Sequence, residues 1–244
     1  MIEQLQHYKN ASKRLVLLDY DGTLVNLSSL PSQANPTQQT IKVLKQLTEK
    51  VQTKTIVITG RSHIDIEHFI GHLPIDIIAE HGAMAKDHTG WKKRINDSLW
   101  KSEVAPVMDS ITAICPKSFV EQKSFSLAWH YRNADEETGY LYSRKLIDKL
   151  EGIVQLNNLK IIDGNKVVEI ISKETSKGIA TKDLVEQGNY DWIICIGDDK
   201  TDEDMFECLL SHKNALTIKV GEGNILAKYR MKSVEEVLLF LEQL

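Results

Sequence analysis

Short, wholly apolar runs alternate with amphipathic stretches along the first third of the chain. Residues 15–18, 55–58 and 75–79 are apolar almost throughout rather than alternating, as expected of strands covered on both faces. Residues 37–49 place Ile41, Leu44 and Leu47 on one helical face, with Thr37 or Asn35 as the cap. Ser62 followed by Asp65 marks a second helix start, and Ile66, Phe69 and Ile70 continue its apolar face. The order β-α-β-α-β predicts a parallel sheet with crossover helices.

The rhythm then changes. Residues 88–91 read as a turn, and residues 99–114 as a helix that Pro106 interrupts or bounds. Residues 119–132 alternate, with Phe125, Leu127, Trp129 and Tyr131 on one side and Ser124, Ser126, Ala128 and His130 on the other. Residues 136–150 read as a helix. Residues 154–155, 160–163 and 166–171 read as short strands, with Asp163-Gly164-Asn165 as a hairpin turn. This middle part predicts an α+β domain inserted at 86–172 into a first domain made of 1–85 and 173–244.

The first rhythm resumes with a helix over 176–185 and an apolar run at 192–196. A helix follows over 205–210, then an apolar run at 215–220 and a turn at 221–224. Ser233 and Glu236 form a capping-box pattern before a helix with Val234, Val237, Leu238 and Leu241 on its apolar face.

Composition adds exclusions. The chain has 244 residues and a formal charge of −4, which gives no footprint for nucleic acid or an anionic membrane. No apolar run approaches the length of a bilayer span. Residues 1–14 are polar and lack the apolar core of a signal peptide. The three cysteines, Cys115, Cys195 and Cys208, form no C-x-x-C pair, which favours a reducing, cytoplasmic setting.

The candidate chemistry lies where the apolar runs end. The first ends in Asp19-Tyr20-Asp21-Gly22-Thr23, the second in Thr59-Gly60-Arg61. The run at 192–196 ends in Gly197-Asp198-Asp199, with Asp202 three residues on, and Lys177 opens the helix before it. In a parallel sheet these ends share one edge. D-G is also a common turn signal, and Thr59 also suits a helix cap. Clustered carboxylates repel unless a cation joins them. Mg²⁺ takes oxygen ligands, and a lysine and a hydroxyl suit a phosphate dianion. A lysine at a helix start opposes the helix dipole, which favours a specific anionic partner. Metal-assisted phosphoryl transfer is the economical chemistry.

The succession D-x-D-G-T, then a threonine, then a lysine, then G-D-D-x-x-D resembles the haloacid dehalogenase superfamily of phosphatases. That resemblance implies a Rossmann-like core with a parallel sheet and an inserted α+β cap of C2B type. It makes Asp19 the nucleophile that carries an aspartyl-phosphate, and Asp21 the general acid and base. Thr59 and Lys177 become phosphate-binding groups. Mg²⁺ would be held by Asp19, the backbone carbonyl of Asp21, and Asp198, with Asp199 and Asp202 as auxiliary ligands or positioners.

Further stretches narrow the resemblance. Thr59-Gly60-Arg61-Ser62, Ala79-Glu80-His81-Gly82-Ala83 and Lys123-Ser124-Phe125-Ser126-Leu127-Ala128-Trp129-His130-Tyr131-Arg132 are similar to the trehalose-6-phosphate phosphatases. So is the segment from Gly197 to Phe206. The implied reaction is Mg²⁺-dependent hydrolysis of trehalose 6-phosphate, as in trehalose biosynthesis. Arg61, Glu80, His81, Lys123, His130, Arg132 and Glu169 become candidate substrate contacts, with Lys123 and Glu169 foremost for the sugar ring beyond the phosphate. His130 and Arg132 suit equally well a role in holding the cap sheet together, and Trp129 suits a core position better than a sugar platform. Family members commonly carry Arg-Pro and Asn where this chain has Ile171-Ser172 and Ser176. No glucosyltransferase segment occurs in the sequence, so any trehalose-6-phosphate synthase partner is expected as a separate chain.

Alternatives are a phosphatase or phosphomutase for glucosylglycerol phosphate, mannosyl-phosphoglycerate or a hexose phosphate. A receiver-like signalling domain also clusters Asp and Lys at strand ends, but the D-x-D pair and the inserted region argue against it. An inactive binding protein is disfavoured because every motif position is filled.

Overall fold

The computed structural model describes residues 2–28, 30–95, 99–223 and 226–244. Ser29 of the expected loop and Asn224 of the expected turn lie outside them. The chain forms two compact units, Met1–Arg94 with Ser176–Leu244, and Ile95–Thr175.

In chain order, the first unit begins with helix α1 (Ile2–Asn10), strand β1 (Arg14–Leu18), α2 (Gln38–Thr48), β2 (Thr53–Ile58) and α3 (His63–Ile70). β3 (Asp76–Ala79), β4 (Met84–Asp87) and β5 (Gly90–Lys93) follow. The second unit holds α4 (Lys101–Thr112), β6 (Phe119–Gln122), β7 (Ser126–His130), α5 (Glu136–Leu156), β8 (Leu159–Gly164) and β9 (Val167–Ser172). The first unit then resumes with α6 (Lys177–Gly188), β10 (Trp192–Gly197), α7 (Lys200–Leu209), β11 (Ala215–Val220), β12 (Tyr229–Met231) and α8 (Val234–Leu241).

Among the described residues the first unit builds an eight-stranded sheet in the order β12-β11-β10-β1-β2-β3-β4-β5. The pairings from β12 to β3 are parallel, and β4 and β5 are antiparallel additions. β1 lies centrally, and Leu15 to Leu18 are buried without a break. Leu15 and Leu17 join Met205, Phe206 and Leu209 of α7 and Ala180 of α6 in one core. Thr37 caps α2 by accepting from the Thr40 N–H, and Ser62 caps α3 by accepting from the Asp65 N–H. Ser176 does the same for α6 through the Ile179 N–H.

The second unit is a four-stranded antiparallel sheet, β6-β7-β9-β8, with α4 and α5 on one face. Leu127 and Trp129 of β7 and Val168 and Ile170 of β9 pack there with Val104, Met108, Ile111, Leu146 and Leu150. Burial of side chains of this size contributes roughly 1.5–3 kcal/mol each.

Several expectations are corrected. The boundary expected at 85/86 falls after Arg94, because β4 and β5 hydrogen-bond onto β3 and belong to the first sheet. The return falls at Ser176 rather than 173. Residues 154–155 are not a strand. α5 runs on to Leu156 because Leu146, Leu150 and Val154, four apart, all reach the core. The β8–β9 turn is Asn165-Lys166, since Gly164 already pairs with Val167. Lys166 takes φ +63° there. α4 passes through Pro106 without ending.

Candidate active site

Three parallel strands release the chain at one sheet edge. Leu18 of β1 is level with Ile196 of β10 and Val57 of β2. Asp19 donates its N–H to the Ile196 carbonyl at 3.0 Å, and Thr59 donates to the Ile78 carbonyl at 2.8 Å. The chain moves from β1 to β2 on one side and returns to β10 on the other. The ends of β1 and β10 therefore flank a switch point, where open α/β sheets bind ligands.

Lys177, the first residue of α6, is 2 % exposed. Its Nζ donates to Asp19 Oδ1 at 2.6 Å and to Asp202 Oδ1 at 2.8 Å. Burial alone would lower this ammonium, but the Asp19 and Asp202 carboxylates hold it well above its usual value. Burial pushes the Asp19 carboxyl up to about 8; Lys177 opposes this, and Asp198 and Asp199 add to it. Asp198 is pushed up to about 7 by burial and then by Asp202 and Asp199. Asp202 is raised by burial and by Asp19. The site holds more negative charge than its lysines offset.

Carboxylate oxygens of Asp19, Asp198 and Asp202 lie within 4.8 Å of one another. An all-oxygen, carboxylate-rich set fits a hard divalent cation such as Mg²⁺. Asp199 and Asp202, expected alike as auxiliary ligands or positioners, take different places. Asp199 is the N-cap of α7: its Oδ1 accepts from the N–H groups of Thr201 at 2.8 Å and Asp202 at 3.1 Å, and from the Thr201 hydroxyl at 2.7 Å. Burial pushes Asp199 up, but Lys177 and these hydrogen bonds outweigh it and hold its carboxyl low. Asp202 completes the capping box, accepting from the Asp198 and Asp199 N–H groups at 2.8 and 3.0 Å. Gly22 lets Asp198 approach. It has φ +77°, and a Cβ there would sit 2.1 Å from Asp198 Oδ2.

Asp21, expected beside Asp19 as acid and base, is bound by Arg61. Nε donates to Oδ2 at 2.7 Å and Nη2 to Oδ1 at 2.6 Å. Thr59 is buried, and its Oγ1 accepts from the Arg61 N–H at 3.1 Å. It does not cap α3, because Ser62 does. Glu80 and His81 follow β3, both buried, both left-handed at φ +51° and +55°. Such backbone in non-glycine residues costs on the order of 1 kcal/mol each. The Glu80 N–H bonds to the Arg61 carbonyl at 2.9 Å, and the His81 N–H to the Thr59 carbonyl at 3.1 Å. Glu80 Oε1 lies 3.0 Å from His63 Nδ1. The His81 ring lies so close to Gly60 that a Cβ there would sit 2.6 Å from it.

In the second unit, the expected sugar contacts form a network of their own. Lys123 Nζ donates to Glu169 Oε1 at 2.8 Å, and Ser126 Oγ donates to the same oxygen at 2.6 Å. His130 Nε2 lies 2.7 Å from Glu121 Oε2, and its ring stacks on Phe119 at 4.8 Å. Burial would raise the Glu121 carboxyl, but the His130 hydrogen bond and the nearby Lys123 ammonium together outweigh it and hold it below its usual range. Arg132 donates to the Asn165 carbonyl at 2.7 Å, tying β7 to the β8–β9 turn. His130 and Arg132 thus hold the sheet together. Trp129 is core, with Nε1 donating to Thr112 Oγ1 at 3.1 Å.

Lys219 was not anticipated. It is 4 % exposed on β11, and its ammonium donates to the backbone carbonyl of Asp198. A lysine inside a mostly apolar strand was the available signal, since a buried charge requires a partner. Glu121 had no comparable signal.

The profile of the trehalose-phosphatase family matches residues 17–235. The alpha,alpha-trehalose-phosphate synthase (UDP-forming) B of Dictyostelium discoideum is 38 % identical over 244 residues, spanning 97 % of this chain and 31 % of that protein. The bifunctional trehalose-6-phosphate synthase/phosphatase of Thermoproteus tenax is 37 % identical over 239 residues, spanning 97 % and 32 %. The chain thus spans about a third of the length of the curated relatives it matches. The C-terminal domain of trehalose-6-phosphate phosphatase from C. albicans superposes with a TM-score of 0.91 at 27 % identity, covering 98 % of this chain and 94 % of that one. With a profile that runs from β1 into α8 and a fold shared with haloacid dehalogenase-like proteins, the chain belongs to the trehalose-phosphatase family.

Proposed function

We propose that the chain hydrolyses trehalose 6-phosphate to trehalose and phosphate, with Mg²⁺ and an aspartyl-phosphate on Asp19. The observation that carries this is Lys177 bridging Asp19 and Asp202 at the shared edge of β1 and β10. A buried carboxylate held by an ammonium is fixed and oriented to attack phosphorus. The bond from phosphorus to the sugar oxygen breaks as the bond to Asp19 forms. Asp21 gives a proton to the leaving oxygen, then takes one from the water that attacks the aspartyl-phosphate. Lys177 and the Thr59 hydroxyl bind phosphoryl oxygens. Mg²⁺, held by Asp19, Asp198 and Asp202 with the Asp21 carbonyl, would supply charge neutralisation and alignment.

The inserted unit serves as the cap that reads the sugar. Lys123 and Glu169 are its reading pair, since an ammonium and a carboxylate on one face suit sugar hydroxyls. The names of the relatives support a trehalose phosphate as the substrate. A synthase that forms this ester is the implied partner, and co-purification tests for it as a separate chain. No described helix is long and apolar enough to cross a membrane. The three cysteines carry no disulfide, which supports a cytoplasmic setting.

Phosphate release from a panel of sugar phosphates at fixed Mg²⁺ tests the substrate. Trehalose 6-phosphate is expected to give the highest kcat/KM, by about tenfold or more. A hexose phosphate, glucosylglycerol phosphate or mannosyl-phosphoglycerate that equals it would overturn the assignment.

A further inference from the structure

The Arg61 side chain is 7 % exposed, beside the stacked rings of Tyr20 and Phe69, with its guanidinium carbon 5.4 and 5.0 Å from their centroids. Those two rings lie nearly parallel to each other, and the Tyr20 hydroxyl is tied to the Ala34 carbonyl at 3.1 Å. Of the five donors a guanidinium offers, Nε and Nη2 hold the two oxygens of Asp21, and Nη1 holds the Pro31 carbonyl at 2.8 Å. The backbone is pinned as well, with its N–H on Thr59 Oγ1 and its carbonyl accepting from Glu80. Asp21, by contrast, keeps a 31 % exposed side chain.

From this geometry we infer that Arg61 is a positioning residue for Asp21, not a contact for substrate. This rests on Asp21 being the acid and base proposed above. A planar fork on a planar carboxylate sets both the place and the tilt of the group. Because each oxygen has its own donor, one can release its bond to handle a proton while the other keeps the group in place. A sugar alkoxide is a poor leaving group, so the proton must arrive at a defined point. A misplacement of about 1 Å can cost on the order of 10² in rate. The strained Glu80 backbone and the Thr59 hydroxyl then acquire a shared purpose, since both anchor the main chain of Arg61.

The test compares first-turnover rates on trehalose 6-phosphate and on p-nitrophenyl phosphate, whose leaving group needs no proton. Arg61→Met keeps an apolar stem beside the rings, and Arg61→Lys keeps charge without the fork. Both are expected to lose about 10- to 100-fold on trehalose 6-phosphate with little change in KM, and less than about threefold on the aryl ester. Asp21→Asn should show the same split, and the double variant should be no worse than Asp21→Asn alone. Circular dichroism and Tm identify any variant that fails to fold, and the other Arg61 substitution then reads the same split. A raised KM with unchanged kcat, or equal losses on both esters, while Asp21→Asn shows its split, would overturn the inference alone. If Asp21→Asn shows no split, the acid assignment and the clamp both fall.

Discussion

The two units treat buried charge in opposite ways. At the edge of the first sheet, Asp19, Asp198, Asp199 and Asp202 meet two buried ammonium groups, Lys177 and Lys219. Burial pushes Asp19 and Asp198 up to about 8 and about 7, and neighbouring carboxylates add to it. On the second sheet, Lys123 closes on Glu169 and His130 on Glu121. The first site is short of positive charge and calls for a cation. The second pairs its polar groups with one another, Lys123 and Ser126 both donating to Glu169, and so holds them fixed in place. Under the proposed function, chemistry and selectivity sit on separate units, and each can be broken without the other.

The largest effect is expected from Asp19→Asn. It should lower turnover of every phosphate ester by at least about 10³-fold while far-ultraviolet circular dichroism stays unchanged. Retained activity would move the nucleophile elsewhere. Next, Lys123→Ala should reduce kcat/KM for trehalose 6-phosphate by about 10- to 100-fold and leave a small aryl phosphate within about threefold. Equal losses would mean that the second unit does not read the sugar through Lys123. The smallest effect concerns stability. Carboxyls raised in the folded state keep protons there that the unfolded chain has released above about pH 4. The metal-free protein should therefore lose stability as pH rises from about 4 to 8. Mg²⁺ should raise Tm by a few degrees at pH 8 and by less at pH 5.5. A shift independent of pH would separate the cation from these carboxyls.

The sequence showed the first site far better than the second. Continuous apolar runs that stop at Asp19, Thr59 and Gly197 mark strand ends, and parallel strands bring such ends to one edge. The α/β class and the family followed from the same residues. What spacing could not decide was which acid does what. Asp199 and Asp202 are both carboxylates three residues apart, and only the start of α7 at Lys200 makes the first of them a cap. Lys219 shows in the sequence as a lysine within a strand, but its partner is the backbone carbonyl of Asp198, which no side-chain pattern reveals. Met84 to Lys93 is short, half polar and turn-rich, so its pattern does not show β4 and β5 or the unit's extent to Arg94. Residues 154–155 were misread because two residues carry no period. The surrounding spacing of Leu146, Leu150 and Val154 held the answer. The pairings of Lys123 with Glu169 and His130 with Glu121 depend on strand register, which the alternation alone leaves free.

The most direct test of the central claim is a trapping experiment with Asp21→Asn, Mg²⁺ and p-nitrophenyl phosphate. This ester needs no acid to react, and the variant cannot activate water. A burst of about one p-nitrophenolate per active site is expected, with one phosphoryl group found by mass spectrometry on the peptide that carries Asp19. A folded variant that gives no burst, or carries the phosphoryl group on another residue, would contradict the account.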